Sequence, residues 1–146
     1  MAVLVDSNIL VYIANPQSPL YQQVRDAVDL LFQRGEILCI IPQNLVEFWA
    51  VATRPIQNNG LGLTPAQAQA ELVRAKSFFR LLDDDSRIFS EWERLVIQHS
   101  VVGKNAHDAR IAAAMNVHQV TTLLTVNKAD FKRFQNITAM EPKEVI

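Results

Sequence analysis

Short continuous apolar runs alternate along this chain with apolar stripes of helical spacing. Val3–Val5, Ile37–Ile41 and Thr121–Val126 are runs with many β-branched residues and read as strands buried in a sheet. Arg80–Leu82 adds a short strand and Ile137–Met140 a last edge strand. Between the first two runs, Ile9–Ala14 predict a short helix closed by Asn15 and Pro16. Leu20, Val24, Ala27, Val28 and Leu31 then place an amphipathic helix over residues 19–34, stopped by Gly35. Asn44 opens a helix whose apolar face is Leu45, Phe48, Trp49 and Ala52, and residues 56–63 read as an exposed loop. Thr64-Pro65-Ala66-Gln67 is a helix start, with a capping threonine, proline in the first turn and glutamine three residues on. Ala68, Leu72, Ala75 and Phe79 carry its stripe. A helix with Ile88, Trp92, Leu95 and Val96 inward follows the turn Asp83–Ser86, and a small-residue helix through Ala109–Met115 follows the turn at 103–105. Asn127 starts a short helix through Phe134. Strands alternating with helices predict an α/β fold, a three-layer sandwich around a mostly parallel sheet, as one domain over residues 1–146.

Composition changes this picture little. The length of 146 residues, 49% hydrophobic and 20% charged, suits an ordinary globular domain. A formal net charge of −1 supplies no long-range field for nucleic acid, although a locally basic rim can coexist with a neutral total. The lone Cys39 sits inside an apolar run, which predicts a buried inert thiol and no disulfide framework. No apolar run approaches about 18 residues and no signal peptide is visible, so the expectation is a cytoplasmic protein away from membranes.

The candidate chemistry is acidic. Asp6 ends the first strand, and the carboxyl ends of strands are where open α/β sheets bind ligands. Ser7 and Asn8 beside it can cap the next helix. Glu47, Asp108 and Asp130 each stand three residues after an asparagine, Asn44, Asn105 and Asn127. That spacing has a purely structural account, an Asn cap with an acid in the first turn, worth about 0.5–2 kcal/mol. By this account Asp6 alone lacks a structural excuse. Taken together, Glu47 and Asp130 follow strands of a parallel sheet and reach the same edge as Asp6, while Asp108 needs a loop or crossover to bring it there. Four carboxylates in one place raise each other's pKa unless a cation compensates. Oxygen donors without a converging Cys or His pair favour Mg²⁺ or Mn²⁺, which can activate water against a phosphodiester.

The stretches Leu4–Leu10, Glu47 in its helix, His107–Met115 and Thr125–Phe131 resemble the ordered motifs of PIN-domain nucleases, in particular the VapC-type ribonuclease toxins of bacterial toxin–antitoxin pairs. The likeness runs from residue 3 to about 140. It implies a central parallel sheet and an Mg²⁺ or Mn²⁺ centre on Asp6, Glu47, Asp108 and Asp130, with Ser7, Asn8, Thr125 and Asn127 supporting the acids. It further implies hydrolysis of RNA, a homodimer and a small antitoxin covering the acidic groove. Products would carry 5′-phosphate and 3′-hydroxyl ends, because water and not the ribose 2′-hydroxyl attacks.

Arg54, Lys104, Arg110 and Lys128 fall near the expected edge and are candidate phosphate contacts. His107, His99 and His118 read as local structure, and Tyr12, Phe48 and Trp49 as core or dimer contacts in preference to base-stacking platforms. Asp83-Asp84-Asp85 reads as a turn and helix start. A phosphoacceptor signalling domain is disfavoured, since it needs paired acids where only Asp6 stands. A DNA-directed PIN nuclease and a binding module whose acids merely cap helices remain as rivals.

Overall fold

The first apolar run takes the middle of the sheet. The computed structural model describes residues 1–146 and forms five strands, β1 (Ala2–Val5), β2 (Ile37–Ile40), β3 (Arg80–Leu81), β4 (Thr122–Leu124) and β5 (Thr138–Met140). Their order is β3-β2-β1-β4-β5, and every neighbouring pair is parallel. Leu4 lies opposite Cys39 on one side and Leu123 on the other. The helices are α1 (Ser7–Ile13), α2 (Tyr21–Gln33), α3 (Pro42–Ala52), α4 (Pro65–Phe78), α5 (Arg87–Gln98), α6 (Asn105–His118) and the short α7 (Pro142–Val145). None is long and apolar enough to cross a membrane.

The period-2 alternation of the central strands divides the interior into two cores. Val3, Val5, Leu38 and Ile40 face a cluster completed by α1, α2, α3, α4 and α7. Leu4, Cys39, Ile41 and Leu123 face a second cluster built on α5 and α6. Ala109, Ala112 and Ala113 of α6 are fully buried there, small enough to bring the helix backbone onto the sheet. This is the three-layer sandwich that the alternating pattern predicts. Phe48 is buried in the first core, and Tyr12 and Trp49 pack against it half-buried.

Several boundaries moved for local physical reasons. α1 begins at Ser7, two residues before the expected start, because Asp6 itself occupies the N-cap and accepts the Ser7 N–H at 2.7 Å. α3 begins at Pro42, whose fixed φ suits the first helical position. Asn44 lies inside it, with Oδ1 accepting the Ile41 N–H at 2.9 Å. Asn105 is the first helical residue of α6, and Asn127 makes no side-chain cap bond. Asparagine capping therefore does not account for Glu47, Asp108 and Asp130. The helix expected over 127–134 is one 3-10 turn, Lys128–Phe131. The Thr64 cap has the predicted form: Gln67 N–H donates to Thr64 Oγ1 at 3.1 Å, and Thr64 N–H to Gln67 Oε1 at 2.9 Å.

At the end of α3 the chain folds back on itself. Gly60 N–H donates to Pro55 O at 3.0 Å, Leu61 N–H to Val51 O at 3.1 Å, and Gly62 N–H to Arg54 O at 2.9 Å. A Cβ at Gly60 would stand 2.0 Å from Arg54 O, so only glycine allows this approach. Gly60→Ala is expected to lower the unfolding free energy by about 1–3 kcal/mol, read as a lower urea midpoint than wild type with unchanged slope.

Candidate active site

The strand order reverses at β1, with β2 and β3 to one side and β4 and β5 to the other. A crevice at the carboxyl ends of the strands is expected at such a point, and Asp6 follows β1 directly into it. Asp6 is 6% exposed, and both of its carboxylate oxygens accept hydrogen bonds. Oδ1 accepts the Ser7 N–H, and Oδ2 accepts the Thr125 hydroxyl at 2.8 Å and the Asn8 amide at 3.3 Å. Thr125, wholly buried after β4, also accepts the Asn127 N–H at 3.1 Å and the Asn8 amide at 3.2 Å. Two adjacent strands therefore hold one carboxylate between them.

Glu47 comes from α3. Oε1 accepts the Ser7 hydroxyl at 2.6 Å, and Oε2 accepts the Gln43 amide at 3.0 Å. Behind Ser7, the buried Asn44 amide donates to Ser7 Oγ at 3.2 Å. Asp108, half-buried on the first turn of α6, and Asp130, exposed on the 3-10 turn, carry neither a side-chain hydrogen bond nor an ion pair. All four acids line a single open cleft of about 710 Å³. Ser7, Asn8 and Asn127 line it too. No three of its carboxylates stand close enough to form a finished cation site.

Residues 3–137 match the PIN domain. The chain belongs to the PIN domain family. No curated protein matches it. Among solved structures, VapBC2 of Rickettsia felis bound to a promoter DNA fragment matches with a TM-score of 0.72 at 22% identity, over 97% of this chain and 98% of that one. FitAcB of Neisseria gonorrhoeae matches with a TM-score of 0.68 at 18% identity, over 97% and 98%. VapC20 of Mycobacterium tuberculosis, a toxin that cleaves the sarcin-ricin loop, matches with a TM-score of 0.61 at 13% identity, over 83% and 86%. At these identities the likeness is one of fold.

The cations of this PIN domain are distributed unevenly. Lys104, one turn before Asp108, lines the cleft. Arg54 is exposed where α3 ends and does not line it. Arg110 is turned to a neighbouring surface, with Nη1 donating to Gln43 Oε1 at 3.2 Å and Nη2 paired with Asp84 at 3.5 Å. Lys128 is paired with Glu144 of α7 at 2.6 Å and lies outside the cleft. Gln43, absent from the candidates the sequence offers, also donates to the His107 carbonyl at 2.8 Å and so ties α3 to α6. Its spacing four residues before Glu47 puts both on one helix face, which is the signal that could have found it. The His107 side chain is exposed, and His118 bonds the Asp83 carbonyl at 2.8 Å. Asp85 holds Arg87 at the start of α5, as a helix-start role predicts.

Burial pushes the Asp6 carboxyl up from 3.8 to about 6, against the lowering effect of the Thr125 and Ser7 hydrogen bonds, with Glu47 and Asp130 adding repulsion. Asp108 is also raised to about 6, first by burial and then by Asp130, Asp6 and Glu47, with His107 opposing. A carboxyl raised in the folded state favours folding fully below its unfolded value, and that contribution is lost as pH rises through about 6. Asp6→Asn removes one of these two losses. In metal-free buffer the unfolding free energy of Asp6→Asn relative to wild type is expected to rise between pH 4 and pH 7, by on the order of 2 kcal/mol. Urea titrations of both proteins across that range check it, and a flat difference would contradict the buried-charge account.

Proposed function

We propose that this PIN domain is a metal-dependent endoribonuclease, the toxin of a toxin–antitoxin pair. The observation that carries the reading is the set of four carboxylates on one cleft, two of them unpaired, around a buried Asp6 with no cationic partner. The all-oxygen donor set suits Mg²⁺ or Mn²⁺. Asp6 and Asp108 are the groups to hold the ion, with Glu47 and Asp130 beside them directly or through water. When bound, the ion lowers the pKa of water and offsets charge building on the phosphoryl oxygens.

The protein's own part is positioning. Ser7 and Gln43 each hold one oxygen of Glu47 at the cleft, and an acid that does not ligate the ion directly would orient the attacking water. Thr125 and Asn8 hold the Asp6 carboxylate in one orientation. Lys104 is the cation available to a phosphate at this site. Water attack leaves a 5′-phosphate and a 3′-hydroxyl. RNA as substrate is supported by likeness to VapC20, a sarcin-ricin loop cleaving toxin, and an antitoxin as partner by likeness to a toxin–antitoxin complex from Klebsiella pneumoniae. A homodimer belongs to the same reading.

Purified protein is to be incubated with total RNA and with length-matched single-stranded DNA, each in Mn²⁺ and in EDTA. Cleavage of RNA in Mn²⁺ alone is expected, with 5′-phosphate ends. Asp6→Asn and Asp108→Asn should each lower the rate at least about a hundredfold, the scale on which removing transition-state charge stabilisation acts. Full activity in Asp6→Asn, or cleavage of DNA only, would overturn the proposal.

A further inference from the structure

The cleft extends beyond its acids. α1 and α3 both run outward from the hydrogen-bonded pair Ser7 and Glu47, and one turn further along each helix Val11 and Val51 line the same cleft. Beyond them the lining is Tyr12 and Asn15 from the α1 side and Asn59, Gly60 and Leu61 from the loop after α3. No charged side chain belongs to this arm, because the charged residues on the cleft are the four acids and Lys104. The Tyr12 hydroxyl and the Asn15 and Asn59 amides have no hydrogen-bond partner within the protein, unlike Asn8, Asn44 and Gln43 around the acids. The loop is held as a wall by its backbone bonds to α3, with Asn59 in the left-handed conformation at φ 63°. Tyr12 packs on the core, as the sequence predicts, yet it also lines the cleft.

We infer that this uncharged arm is a nucleobase subsite, which on the nuclease reading selects the base next to the scissile phosphate. The lining of this arm offers a phosphate no cation, since Arg54, which stands against Gly60, is exposed and outside that lining. A base has flat apolar faces and an edge of donors and acceptors, which suits an aromatic ring, valine and leucine walls and two free amides. Ser7 to Tyr12 spans about 7–8 Å along α1, so the arm begins within one nucleotide of the acids. The arm thus confers base preference, and the acids confer cleavage.

Two readouts test the inference separately from the nuclease reading. In EDTA, the side-chain amide resonances of Asn15 and Asn59 are followed by NMR while homo-oligoribonucleotides of each of the four bases are added. Both amides are expected to shift, with different affinities for different bases. Tyr12→Ala should weaken binding about tenfold, and Tyr12→Phe, which keeps the ring, should weaken it less. Asn59→Gly, which suits the left-handed backbone, should flatten the base ranking and serves should Tyr12→Ala fail to fold. In Mn²⁺, Tyr12→Ala and Asn59→Gly should raise KM and alter the base found at the cut, with kcat close to wild type. RNA cleavage with unmoved amides and an unchanged cut preference in both variants would overturn the subsite and leave the nuclease standing. Base-dependent amide shifts without cleavage would do the reverse. Unmoved amides with no cleavage would overturn both.

Discussion

A buried carboxylate held between two parallel strands is the constraint on which the site depends. Asp6 leaves β1 at the centre of the sheet, and Thr125 leaves β4 beside it, so the hydroxyl meets the acid wherever the two strands pair in register. The same acid caps α1. It therefore does structural work and yet keeps a raised pKa, because three hydrogen bonds do not repay the desolvation of so buried a charge. A fold that needed only a helix cap could use a neutral serine there. The excess cost, together with the acids gathered around it, is more than a helix cap requires.

The surrounding polar network makes the arrangement rigid on one side and open on the other. Asn44, Ser7, Gln43 and Glu47 form a continuous hydrogen-bonded chain that ends on the His107 carbonyl, joining α1, α3 and α6. Asp108 and Asp130 are outside that chain. Two carboxylates are thus held by hydrogen bonds and two are not. The uncharged arm of the cleft extends from the fixed side, where the wall formed by α1 and the α3 loop is best defined.

Sequence periodicity makes the layers legible because the central strands are buried on both faces and read as unbroken apolar runs, and because the alanines of α6 leave few alternatives to close packing. Asp6, Glu47 and Asp130 were legible as candidates by their place after strands, whereas Asp108, on a helix that follows another helix, was not. The local roles of the acids were not legible either. The three asparagines have capping spacing, but Asn44 lies inside α3, where it bonds back to the Ile41 N–H and across to Ser7, Asn105 already lies within α6, and Asn127 caps nothing, while Asp6 is the cap that spacing did not suggest. Lys128 finds Glu144 from the far end of the chain, a pairing with no local signature. Tyr12 shows a further limit, since one side chain serves both core and cleft and a stripe of apolar positions reports only the first.

Mn²⁺ binding to the folded protein near neutral pH, followed by electron paramagnetic resonance in wild type and Asp6→Asn, tests the central claim most directly. A saturable site in wild type that is lost in Asp6→Asn, with circular dichroism unchanged, is the predicted result. Equal binding by the two proteins, or none by wild type at millimolar Mn²⁺, would contradict it.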